Sequence, residues 1–274
     1  MADERASGRA ASVPPLPDRA RRSIVLQYVI VIGILGLAIL SLYALDLPSW
    51  SRVVRGLENN MLRLLRGFID PEWGTAPLAI TAMTETFFMA VIGTTIGAFL
   101  AFPLSFLGAA NLVGGTRWAF PGKTLLVAIR TFPEILLAII FVLAAGPGPT
   151  AGIMAMGIHS IGFLGKIFAD IIESIDPGPN EAIRAAGGNQ LHVFFYSVVP
   201  QVLPEFASTT LYRFEINLRA ATILGLVGAG GIGLPMIQRI QFRRWDEVSM
   251  LLIVIVSVII VVDAVSSRIR RRLV

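Results

Sequence analysis

The sequence of 274 residues contains no cysteine, and only 15% of its residues are charged. The missing thiols exclude disulfide scaffolds, thiolate metal sites and cysteine nucleophiles. Soluble domains carry about 25% charged residues, so the low charge and a hydrophobic content of 55% indicate an integral membrane protein. The net charge of +5 does not predict nucleic-acid binding, because the arginines lie at the tails and between apolar runs rather than in one basic stripe.

Six apolar stretches are long enough to cross a bilayer, since about 20 helical residues cross a hydrocarbon core of about 30 Å. In the second stretch, Gly93 and Gly97 have the spacing of small residues that lets two helices approach closely. We therefore predict an all-α integral membrane protein with six transmembrane helices. The predicted spans are 24–45, 77–110, 124–145, 150–174, 205–226 and 248–267.

The distribution of basic residues predicts the orientation of these spans. Twelve Lys and Arg residues lie on the side of the two termini and seven on the other side, so the positive-inside rule places both termini in the cytoplasm. The predicted segments are a disordered cytoplasmic tail, 1–22, a first transmembrane helix, 23–45, an external interfacial segment, 46–76, a core of five transmembrane helices, 77–267, with a cytoplasmic loop, 175–203, and a basic cytoplasmic tail, 268–274.

The loop between the fourth and fifth spans contains a short predicted helix. Asn180 is a good N-cap residue, and Glu181 complements the helix dipole. Gly187 is predicted to end the helix within two turns, in a conformation with positive φ. A second, apolar segment is predicted to end at Pro200. The helical part of the loop comprises Asp176, Pro177, Gly178, Pro179, Asn180, Glu181, Ala182, Ile183, Arg184, Ala185 and Gly187.

This loop resembles the Glu-Ala-Ala-x3-Gly-x9-Ile-x-Leu-Pro motif of binding-protein-dependent ABC importer permeases. Glu181, Gly187 and Pro200 lie at the family spacing. Two further strings, Arg-Thr-Phe-Pro-Glu at 130–134 and His-Ser-Ile-Gly-Phe-Leu-Gly-Lys at 159–166, resemble the phosphonate branch of that family. Three positions depart from the loop motif: Ile183, Ser197 and Val199.

The resemblance implies a type I ABC importer permease fold and a multi-pass protein of the prokaryotic plasma membrane. Two copies of the chain would form one translocation pathway, and the short helix would be the coupling helix that docks on a dimer of ABC ATPase subunits. An extracytoplasmic solute-binding protein would deliver phosphonates or related small phosphorus oxyanions. One alternative is an ABC importer permease for another small solute such as methionine. The other is an ion-driven secondary transporter, which would need inverted repeats.

The chain itself is not expected to be an enzyme or to bind a cofactor. It contains no G-x-x-x-x-G-K-[ST] phosphate loop, so ATP and Mg²⁺ would belong to the partner ATPase. A G-x-G-x-x-G string occurs at 228–233, but it lacks the preceding strand of a dinucleotide-binding unit. In the permease family the corresponding segment is an external loop that dips toward the pathway.

Charges within the spans are costly unless they face the bundle interior or an aqueous pathway. Three pairs lie at i,i+4 and would share a helix face: Arg130 with Glu134, Lys166 with Asp170, and Glu215 with Arg219. These pairs would neutralise each other or line a pathway in which Arg130, Arg213 or Arg219 contacts an anion. Pro133 is expected to kink the third span, and His159 to pack or form hydrogen bonds. The candidate pathway residues are Glu85, Arg130, Glu134, His159, Arg213, Glu215 and Arg219.

The predicted orientation has a direct test. Alkaline phosphatase fused after Val274 should be inactive, because the enzyme folds only outside the cytoplasm, whereas a fusion after Asp70 in the external segment should be active. Measured phosphatase activity of the fusion after Val274 at the level of the Asp70 fusion would contradict six spans with both termini inside.

Overall fold

The computed structural model describes residues 18–44, 50–112 and 114–273, and within these ranges every regular element is helical. The chain consists of two compact units, one that ends at Glu58 and a second, Asn59–Val274. In the first unit, helix α1 (Asp18–Ala44) is followed by α2 (Trp50–Gly56). The predicted disordered tail lies outside the described residues up to residue 17, but residues 18–22 are helical, because the apolar run extends its helix into the preceding arginines.

The second unit contains ten helices within its described residues. Irregular turns link several of them: 3-10 turns at Trp73–Thr75 and Gly225–Val227 and a π-helical turn at Phe194–Val198; another π-helical turn, Leu57–Met61, precedes the first of them. The helices are α3 (Leu62–Ile69), α4 (Ala76–Gly108), α5 (Thr116–Thr131), α6 (Glu134–Ala145), α7 (Pro149–Ser174), α8 (Gly178–Ala185), α9 (Gln190–Val193), α10 (Val199–Leu224), α11 (Gly233–Gln241) and α12 (Trp245–Leu273).

By length and composition alone, four helical segments of the described chain could cross a membrane: Leu26–Ala44, Trp73–Gly108, Pro149–Ser174 and Trp245–Leu273. The bent pair α5 and α6 raises the number to five if it is one span. The remaining predicted span corresponds to α10, which is 26 residues and therefore about 39 Å long. Its charged residues make it less apolar than the other spans.

The third predicted span is not one straight helix. Helix α5 ends at Thr131, α6 begins at Glu134, and their axes differ by 75°. Proline lacks a backbone N–H and forces the preceding residue out of the helical region, and Phe132 accordingly has ψ 122°. The kink expected at Pro133 is thus confirmed, and it is sharp enough to start a new helix.

Helices α4 and α7 pack with their backbones close together. A Cβ atom at Gly93 would lie 2.9 Å from Cβ of Met156, and one at Gly97 would overlap the side chain of Ser160. These distances confirm that the small residues of α4 allow close approach. On the other side of α7, a Cβ at Gly162 would lie 2.6 Å from the backbone nitrogen of Arg130, so α5 is equally close.

Two helices extend further than predicted. Helix α10 begins at Val199 and includes Pro200 in its first turn, where the missing N–H of proline has no partner to lose. The helix then continues through Pro204 in its second turn. Helix α12 continues to Leu273, so the predicted basic tail is helical except for its last residue, which is not described. Arginines in a final helical turn complement the negative end of the helix dipole.

Candidate functional site

The exposed loop between α7 and α10 begins with helix α8, and its N-terminus differs from the prediction. The helix starts at Gly178, whose N–H donates to Oδ1 of Asp176 over 2.9 Å. The N-cap role predicted for Asn180 is therefore wrong: Asn180 lies inside the helix, and its buried Oδ1 has no hydrogen-bond partner among the described residues. The N–H of Asp176 also donates to Oε1 of Gln201 over 3.1 Å, which ties the loop to the start of α10.

The C-terminus of α8 has the predicted glycine geometry. Gly187 has φ of +82°, its N–H donates to the carbonyl of Arg184 over 3.0 Å, and the N–H of Gly188 donates to the carbonyl of Ile183 over 2.9 Å. This pair of bonds is a Schellman motif. The positive φ of Gly187 is confirmed, although α8 has eight residues and exceeds two turns. Asn189 then caps α9 by accepting from the N–H of His192 over 2.9 Å.

One side of α8 packs against the bundle, and the other side is exposed. Ile183 packs against a buried cluster that includes Val198 and Phe206. Glu181 and Arg184 are exposed. Helix α8 is consequently attached to the bundle through Ile183, and its charged side chains remain accessible to a partner.

A buried polar network lies deep in the bundle, centred on Arg213 of α10. The Arg213 side chain is only 2% exposed. Its Nε donates to Oγ of Ser160 over 2.9 Å, and its Nη2 lies 3.2 Å from Oε2 of Glu134 and 2.8 Å from Nδ1 of His159. The guanidinium carbon also lies 4.8 Å from the centre of the Phe163 ring. One arginine therefore joins α6, α7 and α10.

Asn217, one turn further along α10, extends this network to α4. Its Nδ2 donates to Oγ1 of Thr94 over 2.8 Å and to Oγ of Ser160 over 3.0 Å. Thr94 donates its own hydroxyl to the carbonyl of Ala90 over 2.6 Å, which fixes the direction of the bond from Asn217. Oδ1 of Asn217 and Oε1 of Glu134 are buried without a hydrogen-bond partner among the described residues. The network thus retains unused acceptors beside a buried cation.

The predicted i,i+4 pairs are only partly correct. Lys166 and Asp170 form their ion pair. Glu134 pairs with Arg213 instead of Arg130, because the helix break at Pro133 removes the i,i+4 geometry. The prediction that Glu215 pairs with Arg219 is also wrong, since α12 offers each an opposite charge. Glu215 pairs with Arg270, and Arg219 binds both carboxylate oxygens of Asp263 over 2.6 and 2.7 Å.

Arg130 differs from the other candidate arginines. Its side chain is exposed at the end of α5, and its guanidinium carbon lies 5.9 Å from the centre of the Phe163 ring, which also contacts Arg213. In the described part of the chain, no carboxylate forms a salt bridge with Arg130. The bend of the third span therefore presents one unneutralised cation.

Glu85 and its neighbour Thr86 hold the glycine-rich turn between α10 and α11. Oε1 of Glu85 accepts from the N–H of Gly231 over 2.9 Å, and Oγ1 of Thr86 accepts from the N–H of Ile232 over 2.8 Å. Three glycines of the turn, at 228, 230 and 231, have positive φ. Among the described residues no strand precedes this turn, so it is a loop clamped by α4 rather than a dinucleotide-binding element.

The described chain is a helical bundle with ion pairs between its helices, a broken span and an exposed two-helix loop at one end. Residues 105–274 match the family described as binding-protein-dependent transport system inner membrane component, and the chain belongs to this family. It is therefore a multi-pass inner-membrane component of an ABC transporter, a permease and not an enzyme.

Two relatives carry names from phosphorus transport. The chain is 34% identical over 238 residues to the phosphite transport system permease protein PtxC of Stutzerimonas stutzeri, an alignment that covers 87% of this chain and 86% of that protein. It is also 34% identical over 261 residues to the phosphate-import permease protein PhnE of Mycolicibacterium smegmatis. That alignment covers 95% of this chain but only 48% of the relative, so the chain spans about half of that protein's length.

Solved structures confirm the predicted fold class. The bundle matches a chain of the inward-facing MetNI methionine ABC transporter with a TM-score of 0.64 and 19% identity, covering 72% of this chain and 96% of that chain. A chain of the bacterial alginate ABC transporter in complex with a periplasmic protein matches with a TM-score of 0.59 and 15% identity, covering 94% of this chain and 97% of that one. At these identities the likeness establishes the type I importer permease fold alone.

The buried network makes a prediction about stability. Replacing Arg213 with Met leaves Glu134 buried without its counter-ion, which costs about 3–5 kcal/mol for a broken buried pair. Replacing Arg244 with Met breaks its exposed pair with Glu247, which lies outside the predicted spans, and costs about 0–1 kcal/mol. Thermal unfolding of both variants in detergent measures the difference. Equal, small shifts in the two unfolding temperatures would contradict the central role assigned to Arg213.

Proposed function

We propose that this chain is the permease subunit of an ATP-driven importer for phosphite, phosphonates or related small phosphorus oxyanions. The observation that carries the proposal is the 34% identity to a phosphite transport permease over 87% of the chain. In this proposal two copies of the chain form the pathway, with their termini in the cytoplasm. A solute-binding protein delivers the anion from outside, and a dimer of ABC ATPase subunits binds ATP and Mg²⁺, while this chain binds no cofactor.

Helix α8 is the coupling helix in this proposal. Its accessible charges, Glu181 and Arg184, would contact the ATPase, and Ile183 would transmit the movement to the bundle. The hydrogen bond between Asp176 and Gln201 makes α10 move with the loop. Because α10 carries Arg213, a displacement of α8 would reach α6 and α7 through the buried network.

The contact between the pathway and the anion is assigned to Arg130. Of the three arginines considered for this role, Arg213 and Arg219 are neutralised by Glu134 and Asp263. Arg130 is exposed and has no carboxylate partner in the described part of the chain. An unneutralised cation in a membrane span is expected to face an aqueous pathway, where it would attract an oxyanion.

Import of methionine is the second candidate. Relatives named as probable D-methionine transport system permease protein MetI are 24% identical over 200 residues in Vibrio cholerae and 22% over 201 residues in Haemophilus influenzae. The lower identity ranks this solute second.

Binding of phosphite, methylphosphonate and D-methionine to the partner solute-binding protein, measured by calorimetry, separates the two candidate solutes. Binding of methionine alone would overturn the phosphorus assignment.

Variants of the coupling helix test the connection to the ATPase. Gly187→Val should strain the positive φ of this residue by about 1–3 kcal/mol, and Glu181→Lys should reverse a charge on the docking face. Both proteins should reach the membrane, but uptake should fall, and ATP turnover should no longer respond to the loaded binding protein in reconstituted vesicles.

Matched controls separate conformation and charge from general damage. Gly187→Asn should retain coupling, because Asn tolerates the left-handed conformation. Glu72→Lys makes the same charge reversal at an exposed residue outside the loop. Normal coupling in both Gly187→Val and Glu181→Lys would exclude α8 as the coupling helix.

The pathway assignment predicts the effect of Arg130→Gln. Loss of one charge-assisted contact of about 1.4 kcal/mol or more corresponds to a roughly tenfold lower uptake rate. Assembly and basal ATP turnover should be unchanged, because Arg130 neutralises no carboxylate. Arg117→Gln, another exposed arginine of α5, is the control and should transport normally. Unchanged uptake by Arg130→Gln rules out Arg130 as the anion contact.

A further inference from the structure

A wide-open surface cavity lined by polar side chains lies between the start of α10 and the end of α12, at the same end of the bundle as α8. Its volume is about 630 Å³. Three hydroxyl side chains and three charged side chains line it. These residues are Glu205, Ser208, Thr209, Ser267, Arg270 and Arg271.

The charged side chains of this cavity differ in whether they already form an ion pair. Arg270 is held by Glu215, which is 5% exposed, and its guanidinium carbon lies 6.0 Å from the centre of the Tyr212 ring. Arg271 makes one hydrogen bond, from Nε to the carbonyl of Ser267 over 3.4 Å. In the described part of the chain, neither Arg271 nor Glu205 has an ion-pair partner. The cavity thus offers one available cation and one available anion.

The surroundings place the cavity at the edge of a bilayer. The face of α12 that leads to it presents exposed apolar side chains at Val256 and Ile260, which lie in helical register with Ser267 and Arg271. A second cavity of about 220 Å³ adjoins the end of the same helix, where Arg268 and Arg272 lie beside Val265 and Ile269. Apolar surface that ends in arginines is typical of the boundary between acyl chains and head groups.

We propose that this cavity binds a phospholipid whose head group carries both a phosphate and a primary ammonium, as in phosphatidylethanolamine. The phosphate accepts hydrogen bonds from Arg271 and from the hydroxyls of Ser208 and Thr209. The ammonium donates to Glu205, and the acyl chains lie along the exposed face of α12. The paired charges disfavour an anionic head group without an ammonium, because Glu205 would repel it, and a quaternary ammonium cannot donate to Glu205.

The proposed lipid would join two helices with different roles. Helix α10 continues from the α8 and α9 loop, whereas α12 holds α10 through the Glu215–Arg270 and Arg219–Asp263 pairs. A head group between their ends would strengthen this connection where α10 leaves the loop. The inference does not depend on the transported solute.

Native mass spectrometry of the full-length chain in detergent tests the proposal by titration with three lipids of equal chain length. Phosphatidylethanolamine should bind more tightly than phosphatidylglycerol and phosphatidylcholine. Arg271→Gln should weaken binding of phosphatidylethanolamine about tenfold, the loss expected for a charge-assisted hydrogen bond. Glu205→Gln should abolish the preference over phosphatidylglycerol while leaving phospholipid binding itself. Arg117→Gln, on an exposed site of another helix, should bind like the parent protein.

Two outcomes overturn the proposal. Equal binding of the three lipids by the parent protein, or unchanged binding by Arg271→Gln, would show that the cavity does not recognise the lipid head group. Competition with inorganic phosphate is the second test. If phosphate displaces the lipid at low millimolar concentration, the cavity is a site for soluble oxyanions. Both variants alter partly or fully exposed side chains, and size-exclusion chromatography checks that they remain folded.

Discussion

A guanidinium buried inside a membrane bundle has to be neutralised and hydrogen-bonded where it lies, and Arg213 imposes this constraint on the permease core. An uncompensated charge there would be far more costly than any single packing defect. Glu134, His159 and Ser160 meet the requirement from α6 and α7. The break at Pro133 contributes to this neutralisation, because it makes Glu134 the first residue of a new helix that approaches α10.

In the proposed function, the same buried arginine connects the exposed loop to the interior of the bundle. Helix α8 is rigid because both its ends are fixed, at Asp176 by side-chain capping of Gly178 and at Gly187 by the Schellman motif. In the proposed function, a displacement of α8 is therefore passed to α10. Arg213 connects α10 to α7 and to α6, the helix that begins at the bend, and Arg130 is exposed on the other side of this bend. In the proposed function, the coupling helix and the anion contact are in this way linked through Arg213.

Features that depend on local sequence could be predicted, whereas features that depend on distant partners could not. Gly187 and the pair of Lys166 with Asp170 follow from residues within one or two helical turns. The partners of Glu215 and Arg219 lie 55 and 44 residues away on α12, and nothing in the i,i+4 pattern indicates them. The N-cap prediction for Asn180 was wrong because the helix begins earlier, at Gly178, whose N–H donates to the side chain of Asp176. Asn217 and Ser160 were missed because polar residues of this kind are neutral and carry no charge pattern.

The most direct test of the account is solute uptake by vesicles that contain this chain, its ATPase subunit and its solute-binding protein. The account predicts uptake of phosphite or a phosphonate that requires ATP and the binding protein together, and that is insensitive to collapse of the ion gradients. Uptake that proceeds without the ATPase and follows an imposed ion gradient would contradict it.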